Sequence, residues 1–566
     1  MRLNVDLINE SGMDCVEMEY ASIAKSLGRN YELMYTDAWG FELADQIKDI
    51  SVSRFSEDEL KTLKEQYKNT VGNRLSAGDI KCETYLKQYH GIDVQKVIIH
   101  DKESVIQEIK AQIDQKLPVA MWFDQHYMAW TKEIRKNGPL RYAGRLLIHG
   151  YDDEQRSFQC IDIHGRTENQ SMPYDTFKQF LNETKRQLTY DTFQVVGKDM
   201  LPSLDEFFGH TIKKVLGQTK EHPNMFMEMK KFADYVRTSL DMEKEIAISQ
   251  GPRTMPNTPT HIMFIRNFVR IARMRSMYAL AVEYLGKIHN DRRLFEISNQ
   301  FRIFSANWHQ IVAILTKAFF REDYSNLNTK LYEHILLFAE EEERMLSDIM
   351  NFKENGSSEK EEEEIINVTD SSVQMTLEDK DCEHESCDIR PYFNNRAFAL
   401  EKSNDCHADF DGIGNYFLLE PEMSKEEVNV KEVPFHVCFH TEEADNVMCQ
   451  GQTISLKKKK YDAISLLAAC DSGPFFGQLK VTYEDGTKEK IVYGFGEWRF
   501  KMCEFREKMA LECDRVYQGK IHPEERGYLF YKVLPLKPEK AVQSIQLPQC
   551  TNMHIFSITC SKIKER

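Results

Sequence analysis

No stretch of the sequence is apolar for long enough to cross a bilayer, and its opening, MRLNVDLINESG, has no hydrophobic run of signal-peptide length. A membrane class is therefore not expected, and a cytoplasmic protein is. Positive charge is also short: 74 lysines and arginines stand against 90 aspartates and glutamates, a formal charge of −16. A nucleic-acid or anionic-membrane surface demands the opposite sign, so neither is expected as the main partner. The 13 cysteines are odd in number and lack framework spacing, which argues against a disulfide scaffold and suits a reducing compartment. CEHESC, residues 382–387, has ligand-type residues but no second half to complete a four-ligand set, so no metal site is expected.

What is there is a globular composition, 41% hydrophobic and 11% aromatic, spread over 566 residues. That length exceeds one core and suggests three or four domains. Residues 1–200 mix helical stretches near 15–27 and 103–115 with strand-like runs: QKVIIH, LPVAMWF, GRLLIHGYD, SFQCIDIHG and TFQVVG. GYDDEQRSFQCIDI reads as a hairpin turning at Asp152–Gln155. Residues 201–352 carry 3.6-period apolar faces and read as a helical bundle. Residues 353–390 gain charge and lose periodicity, the pattern of a flexible acidic linker. From 391 to 566 short strands recur, with an Asp-Gly hairpin turn in YEDGTK, and a β-sandwich is expected. LKKKKY (456–461) reads as a solvated turn with the charge to meet an acidic carrier protein. The fold class is thus multidomain α+β: an α+β N-terminal domain, a central bundle and a C-terminal sandwich.

One cysteine stands out by position. In ESGMDCVEMEYASIAKSLGRNYELMY, Ser11-Gly12 is a breaker and Asp14 a cap. Ala21, Ile23, Ala24 and Leu27 then form an apolar face that stops at Gly28. Cys15 in the first turn should feel unpaired N–H groups and the positive end of the helix dipole, both of which favour the thiolate. Free cysteines are equally at home in cores, so position alone leaves both roles open. A thiolate enzyme also needs a base and a group to orient it. Asp162, ending a strand in CIDIHG, is the candidate acid, and His126, His149 and His164 are the candidate bases.

These residues resemble the N-terminal domain of the butirosin-biosynthesis acyltransferase family, itself similar to papain-like, bacteriocin-processing cysteine peptidases. The resemblance covers about residues 1–350. It rests on DCVEMEYASIAKSLGRNYELMYTDAWGFEL, on WFDQHYMAW after a strand, and on LLIHGYDDEQRSFQCIDIHG. It implies a papain-like domain that takes an acyl group from a carrier-protein phosphopantetheine thioester onto Cys15 and passes it to an amine. No bound cofactor is implied, since the donor arrives on the acyl carrier protein. Carried over by position, Cys15 is the nucleophile and Asp162 the orienting acid. The family's histidine falls on Gly144 here, so His149, five residues on, is the first substitute and His164 the second. Asp124, His126, Trp130 and His164 fall in segments that the resemblance places at the substrate cleft.

The C-terminal region resembles the galactose-binding-type sandwiches attached to carbohydrate-active enzymes, through DFDGIGNYF, VPFHVCF and the NVMCQGQTISL stretch. Asp411, Asn446, Gln450 and Trp498 are its candidate rim residues. A sugar rim needs an aromatic face beside planar hydrogen-bonding groups. The expectation is an acyltransferase of secondary metabolism, with a small polar amine, sugar-bearing in one version, as acceptor. Two alternatives stay open: a non-catalytic docking or carbohydrate-binding scaffold on a degenerate cysteine-enzyme fold, and a cysteine peptidase or amidase.

Overall fold

The computed structural model describes residues 1–8, 13–44, 70–78, 80–131, 143–163, 165, 167–184, 187–218, 223–248, 262–354, 364–367, 377, 380–400, 408–419, 427–439, 443–501, 503, 505–518, 521–522 and 525–564. The chain divides into two compact units. Unit 1 is Met1–Phe301 with Ile335–Glu354, and unit 2 is Arg302–His334 with Asn355–Arg566.

In unit 1, helix α1 (Cys15–Ser26) starts at Asp14 and gives way to Leu27 and a left-handed Gly28. A two-residue ladder joins β1 (Glu42–Leu43) to β2 (Leu75–Ser76), and helix α2 (Cys82–His90) follows. The main sheet contains β3 (Ile92–Ile98), β4 (Val119–Asp124), β5 (Ala143–Asp152), β6 (Ser157–Asp162), β7 (Thr167–Pro173) and β8 (Thr189–Val195). Its order is β3-β8-β4-β5-β6-β7, antiparallel throughout. The β5–β6 hairpin turns where the sequence places it, with Asp152 Oδ1 accepting from the backbone N–H groups of Glu154 and Gln155.

Helices α3 (Val105–Asp114) and α4 (Tyr174–Glu183) bury Ile109, Ile113, Phe177 and Phe180 in one core with Met121, Phe123, Leu146 and Phe158 of the sheet. The strand period of two sends neighbouring Arg145 the other way. Its guanidinium meets Glu19 of α1 and Asp191 of β8. Strand β7, TENQSMP, is polar and mostly uncovered at the sheet edge, which is why no apolar alternation marks it.

The helical region continues with α5 (Leu204–Val215), α6 (Met225–Thr238), α7 (Met242–Ile248), α8 (Met263–His289), α9 (Arg292–Arg321) and α10 (Leu327–Glu354). The periodic apolar faces are buried as expected: Phe226, Phe232, Phe268 and Tyr278 are all core. Trp39 packs edge-on against Phe226 and Phe301. No described helix is long and apolar enough to cross a membrane.

Unit 2 is an all-β sandwich together with residues 302–334. Its strands are β9 (Glu364–Asn367), β10 (Cys382–Cys387), β11 (Phe398–Leu400), β12 (Asn415–Leu419), β13 (Glu427–Val430), β14 (Val433–His436), β15 (Val447–Gln450), β16 (Thr453–Lys460), β17 (Ala463–Cys470), β18 (Phe475–Tyr483), β19 (Lys488–Phe495), β20 (Lys508–Cys513), β21 (Arg515–Gln518), β22 (Ile521–His522), β23 (Gly527–Pro535), β24 (Ala541–Gln546) and β25 (Gln549–Ile563). One large sheet runs β10-β25-β17-β23-β20 with β15 also on β25, and the other runs β16-β24-β18-β19-β9. The YEDGTK turn joins β18 to β19 through Gly486 at φ +83°, a left-handed position that glycine takes without strain.

Two expectations change here. Of the stretch read as a linker, residues 355–363, 368–376 and 378–379 lie outside the described residues, but two pieces of it are strands. Strand β9 pairs parallel with β19, and β10, which is CEHESC, pairs antiparallel with β25. LKKKKY is not a turn but the end of edge strand β16, with Lys457 and Lys459 on Glu385 and Lys458 on Glu484. A lysine row on an edge strand discourages a further strand from pairing there.

Candidate functional site

Asp14 closes a capping box at the start of α1. Its carboxylate accepts from the N–H groups of Val16 and Glu17, both at 3.0 Å, while Glu17 Oε2 accepts from Asp14 N at 3.1 Å. Cys15 is therefore the first helical residue, as its sequence context implies. The electrostatic expectation is reversed, however. Burial, then the charges of Asp14, Glu19 and Asp162, push the Cys15 thiol above its ordinary value, and a backbone hydrogen bond offsets only part of this. The dipole argument fails first because the thiol is largely buried, and second because the Asp14 carboxylate takes the first-turn donors and adds its own negative charge.

The wall beside Cys15 is built from arginine–carboxyl pairs. Arg273 of α8 reaches Asp14 and Glu17, each at 3.2 Å. Burial lifts the Glu17 carboxyl to about 7, with Arg273 working against the rise. Glu19, fully buried, receives Arg145 Nε at 2.7 Å and Nη2 at 2.5 Å, and the same Nη2 reaches Asp191 at 2.6 Å. This clamp ties α1 to the sheet. Nothing in the local sequence announces it, because Glu19, Arg145 and Asp191 are far apart along the chain.

Asp162 ends β6 and is fully buried. Trp130 Nε1 donates to its Oδ2 at 2.9 Å and Gly165 N to its Oδ1 at 3.0 Å. A side chain at position 165 would put its Cβ 2.7 Å from that Oδ2, so glycine is what lets the turn close on the carboxylate. The structure thus brings Trp130 onto Asp162, and Asp162 within electrostatic reach of Cys15.

The histidines are arranged differently. Asp162 is registered opposite Leu146 on β5, and Gly144 is two residues from Leu146 on the same face. A histidine at 144 would face the acid's side of the sheet, but glycine stands there. His149 sits at a register shift between Ile148 and Gly150. The bulge does not turn it to Asp162: its Nδ1 donates to the Leu3 carbonyl at 2.9 Å. Its Nε2 is buried with no partner among the described residues, and burial lowers its affinity for a proton. His126 is exposed on the turn after β4, edge-on to Tyr127, and its N–H donates to Asp124 Oδ1 at 2.9 Å. His164 lies outside the described residues.

In unit 2, three of the four rim candidates are interior. Trp498 is fully buried against Phe410 and Phe417, so it offers no face to a sugar. Asn446 is also fully buried and accepts from His554. Asp411 closes the 409–415 loop by accepting from the N–H groups of Ile413 and Asn415 and from the Asn415 amide, and burial raises its carboxyl to about 6. Only Gln450 is exposed.

The strands between 382 and 563 define an all-β sandwich. The family model of the AziU2-like beta-sandwich domain matches this region, over residues 384–564. No curated protein matches the chain. Among solved structures it is similar to a family GH115 4-O-methyl-α-glucuronidase with specificity for decorated arabinogalactans, at a TM-score of 0.16 and 9% identity. A GH138 enzyme targeting pectin rhamnogalacturonan II matches at a TM-score of 0.12 and 12% identity. Each match covers 64% of this chain, which spans 38% of the length of either enzyme.

Proposed function

We propose that unit 1 is a papain-like cysteine acyl-transfer unit acting in secondary metabolism. Cys15 Sγ attacks the carbonyl of an acyl thioester carried on an acyl carrier protein's phosphopantetheine. The carrier thiol leaves with the Cys15 proton, and a small polar amine then displaces Cys15 to form an amide, its proton returning to Cys15 Sγ. Splitting the transfer through an acyl-enzyme makes each step easier. One observation carries the reading: Cys15 opens α1, which Glu19 and Arg145 clamp to the sheet in which β6 ends at buried Asp162.

A second reading is favoured by the raised thiol and by Gly144: a docking protein on the same fold, with no turnover. One experiment separates them. Wild type and Cys15→Ala are incubated with an acyl-phosphopantetheine, amine withheld, and intact mass is recorded. The acyl-transfer reading expects a Cys15-dependent acyl adduct that builds faster as pH rises toward 9. No adduct, from a thiol that iodoacetamide still alkylates at high pH, overturns it in favour of docking.

A further inference from the structure

YELMYTDAWGF, part of the family-like segment, contains an aspartate to which the Cys15 chemistry gives no role. Asp37 is 4% exposed, and three side chains from two helices converge on it. His210 of α5 donates from Nε2 to its Oδ1 at 2.7 Å, and Tyr85 of α2 donates from its hydroxyl to Oδ2 at 2.7 Å. Lys214, one turn after His210 and 5% exposed, donates to the Asp37 carbonyl. Burial opposes the charge on Asp37, yet His210, Lys214 and Tyr85 together hold its carboxyl below the ordinary value.

An ionised acceptor at Nε2 fixes the tautomer of neutral His210: the proton sits on Nε2 and the lone pair on Nδ1. That second nitrogen has no partner among the described residues, and the side chain is 41% exposed. The ring is walled by Tyr85, edge-on at 6.0 Å, which stacks in turn on Tyr89. On the Lys214 side a narrow crevice opens between Trp39, Gly40, Phe41 and Met225. This is the layout of an oriented base: a buried carboxylate behind, an open nitrogen in front. A histidine needed only to satisfy Asp37 gains nothing from a second nitrogen left open.

We propose that Asp37 and His210 form a general-base dyad, separate from Cys15, for a small protic nucleophile, an alcohol or amine. The Nδ1 lone pair takes the proton of the ligand O–H or N–H, whose bonding electrons stay on the ligand oxygen or nitrogen. The imidazolium so formed keeps its Nε2–H on Asp37, and Tyr85 and Lys214 hold that carboxylate in place.

The test is the rate at which diethyl pyrocarbonate modifies individual histidines of the full chain at pH 7.5, read by peptide mass spectrometry. His100, exposed in the loop after β3, is the internal reference. The dyad predicts that His210 reacts at least about five-fold faster than His100, and that Asp37→Asn brings it down to the His100 rate. Tyr85→Phe keeps the ring stack and removes one hydroxyl, so it should slow His210 about two-fold even where Asp37→Asn fails to fold. A wild-type His210 no faster than His100, or a rate untouched in a folded Asp37→Asn, overturns the proposal. Either result is independent of whether Cys15 is acylated.

Discussion

The two units bury polar groups to similar depth and use them differently. In unit 1 they are full charges spanning separate elements: Arg145 between Glu19 and Asp191, and Arg275 in a two-point pair with Glu342 that also takes the Trp39 N–H. In unit 2 the buried centre adds amides and a histidine to a single ion pair. Asp471 accepts from Asn552 and pairs with Lys317, and His554 bridges Asp471 and Asn446 through its two ring nitrogens. Paired charges fix how a helix meets its neighbours but leave a large penalty if one member is lost. An amide network is more forgiving, and its isolated carboxyls respond to pH. The lesson is that α1 stands against the sheet on electrostatics that also press on Cys15, so scaffold and candidate site cannot be altered separately there.

The sharpest way to break the contrast is Arg275→Met. It removes both Arg275 hydrogen bonds from fully buried Glu342, which keeps the Trp39 N–H. The expected loss is about 3–5 kcal/mol in the unfolding of unit 1, read by denaturant titration. A loss below about 1 kcal/mol would mean that the pair is not the anchor it resembles.

The second prediction concerns pH. Glu497 of unit 2 is 4% exposed, and its Oε2 has no partner among the described residues. Burial raises its carboxyl to about 7, against the pull of Arg499. A raised carboxyl favours the folded state while protonated. Its contribution is therefore complete below the unfolded value near 4.3 and is lost as pH rises through 7. Unit 2 should lose on the order of 2 kcal/mol from this group between pH 4.5 and 8. Glu497→Gln should flatten that part of the stability profile, and an unchanged slope would remove Glu497 as its source.

How much of this was legible beforehand depends on the distance over which each feature is determined. The cap at Asp14, the stop at Gly28, the Asp152–Gln155 turn and the Asp-Gly turn are local, and each is where the sequence puts it. The helical faces of 263–352 and the sandwich strands follow from periodicity, which is also local. Strand β7 escaped because an uncovered edge strand needs no apolar alternation, and LKKKKY because a lysine run looks the same on a turn and on a guarded edge. The Cys15 thiol went the wrong way because burial, which only the folded chain supplies, raises it most, with the charge of Asp14 next. Trp498 went wrong for a related reason: an aromatic beside polar residues reads as a rim until Phe410 and Phe417 close over it.

The account turns on Cys15, the first residue of a helix whose first turns are clamped to the sheet and whose thiol is raised by burial. The most direct measurement is the pH dependence of acylation by an acyl-phosphopantetheine, wild type against Cys15→Ala, followed by intact mass. The account predicts an adduct that requires Cys15 and forms at least about ten-fold faster at pH 9 than at pH 7, because the thiolate is the reacting species. No adduct, or one that forms equally on Cys15→Ala, would contradict it.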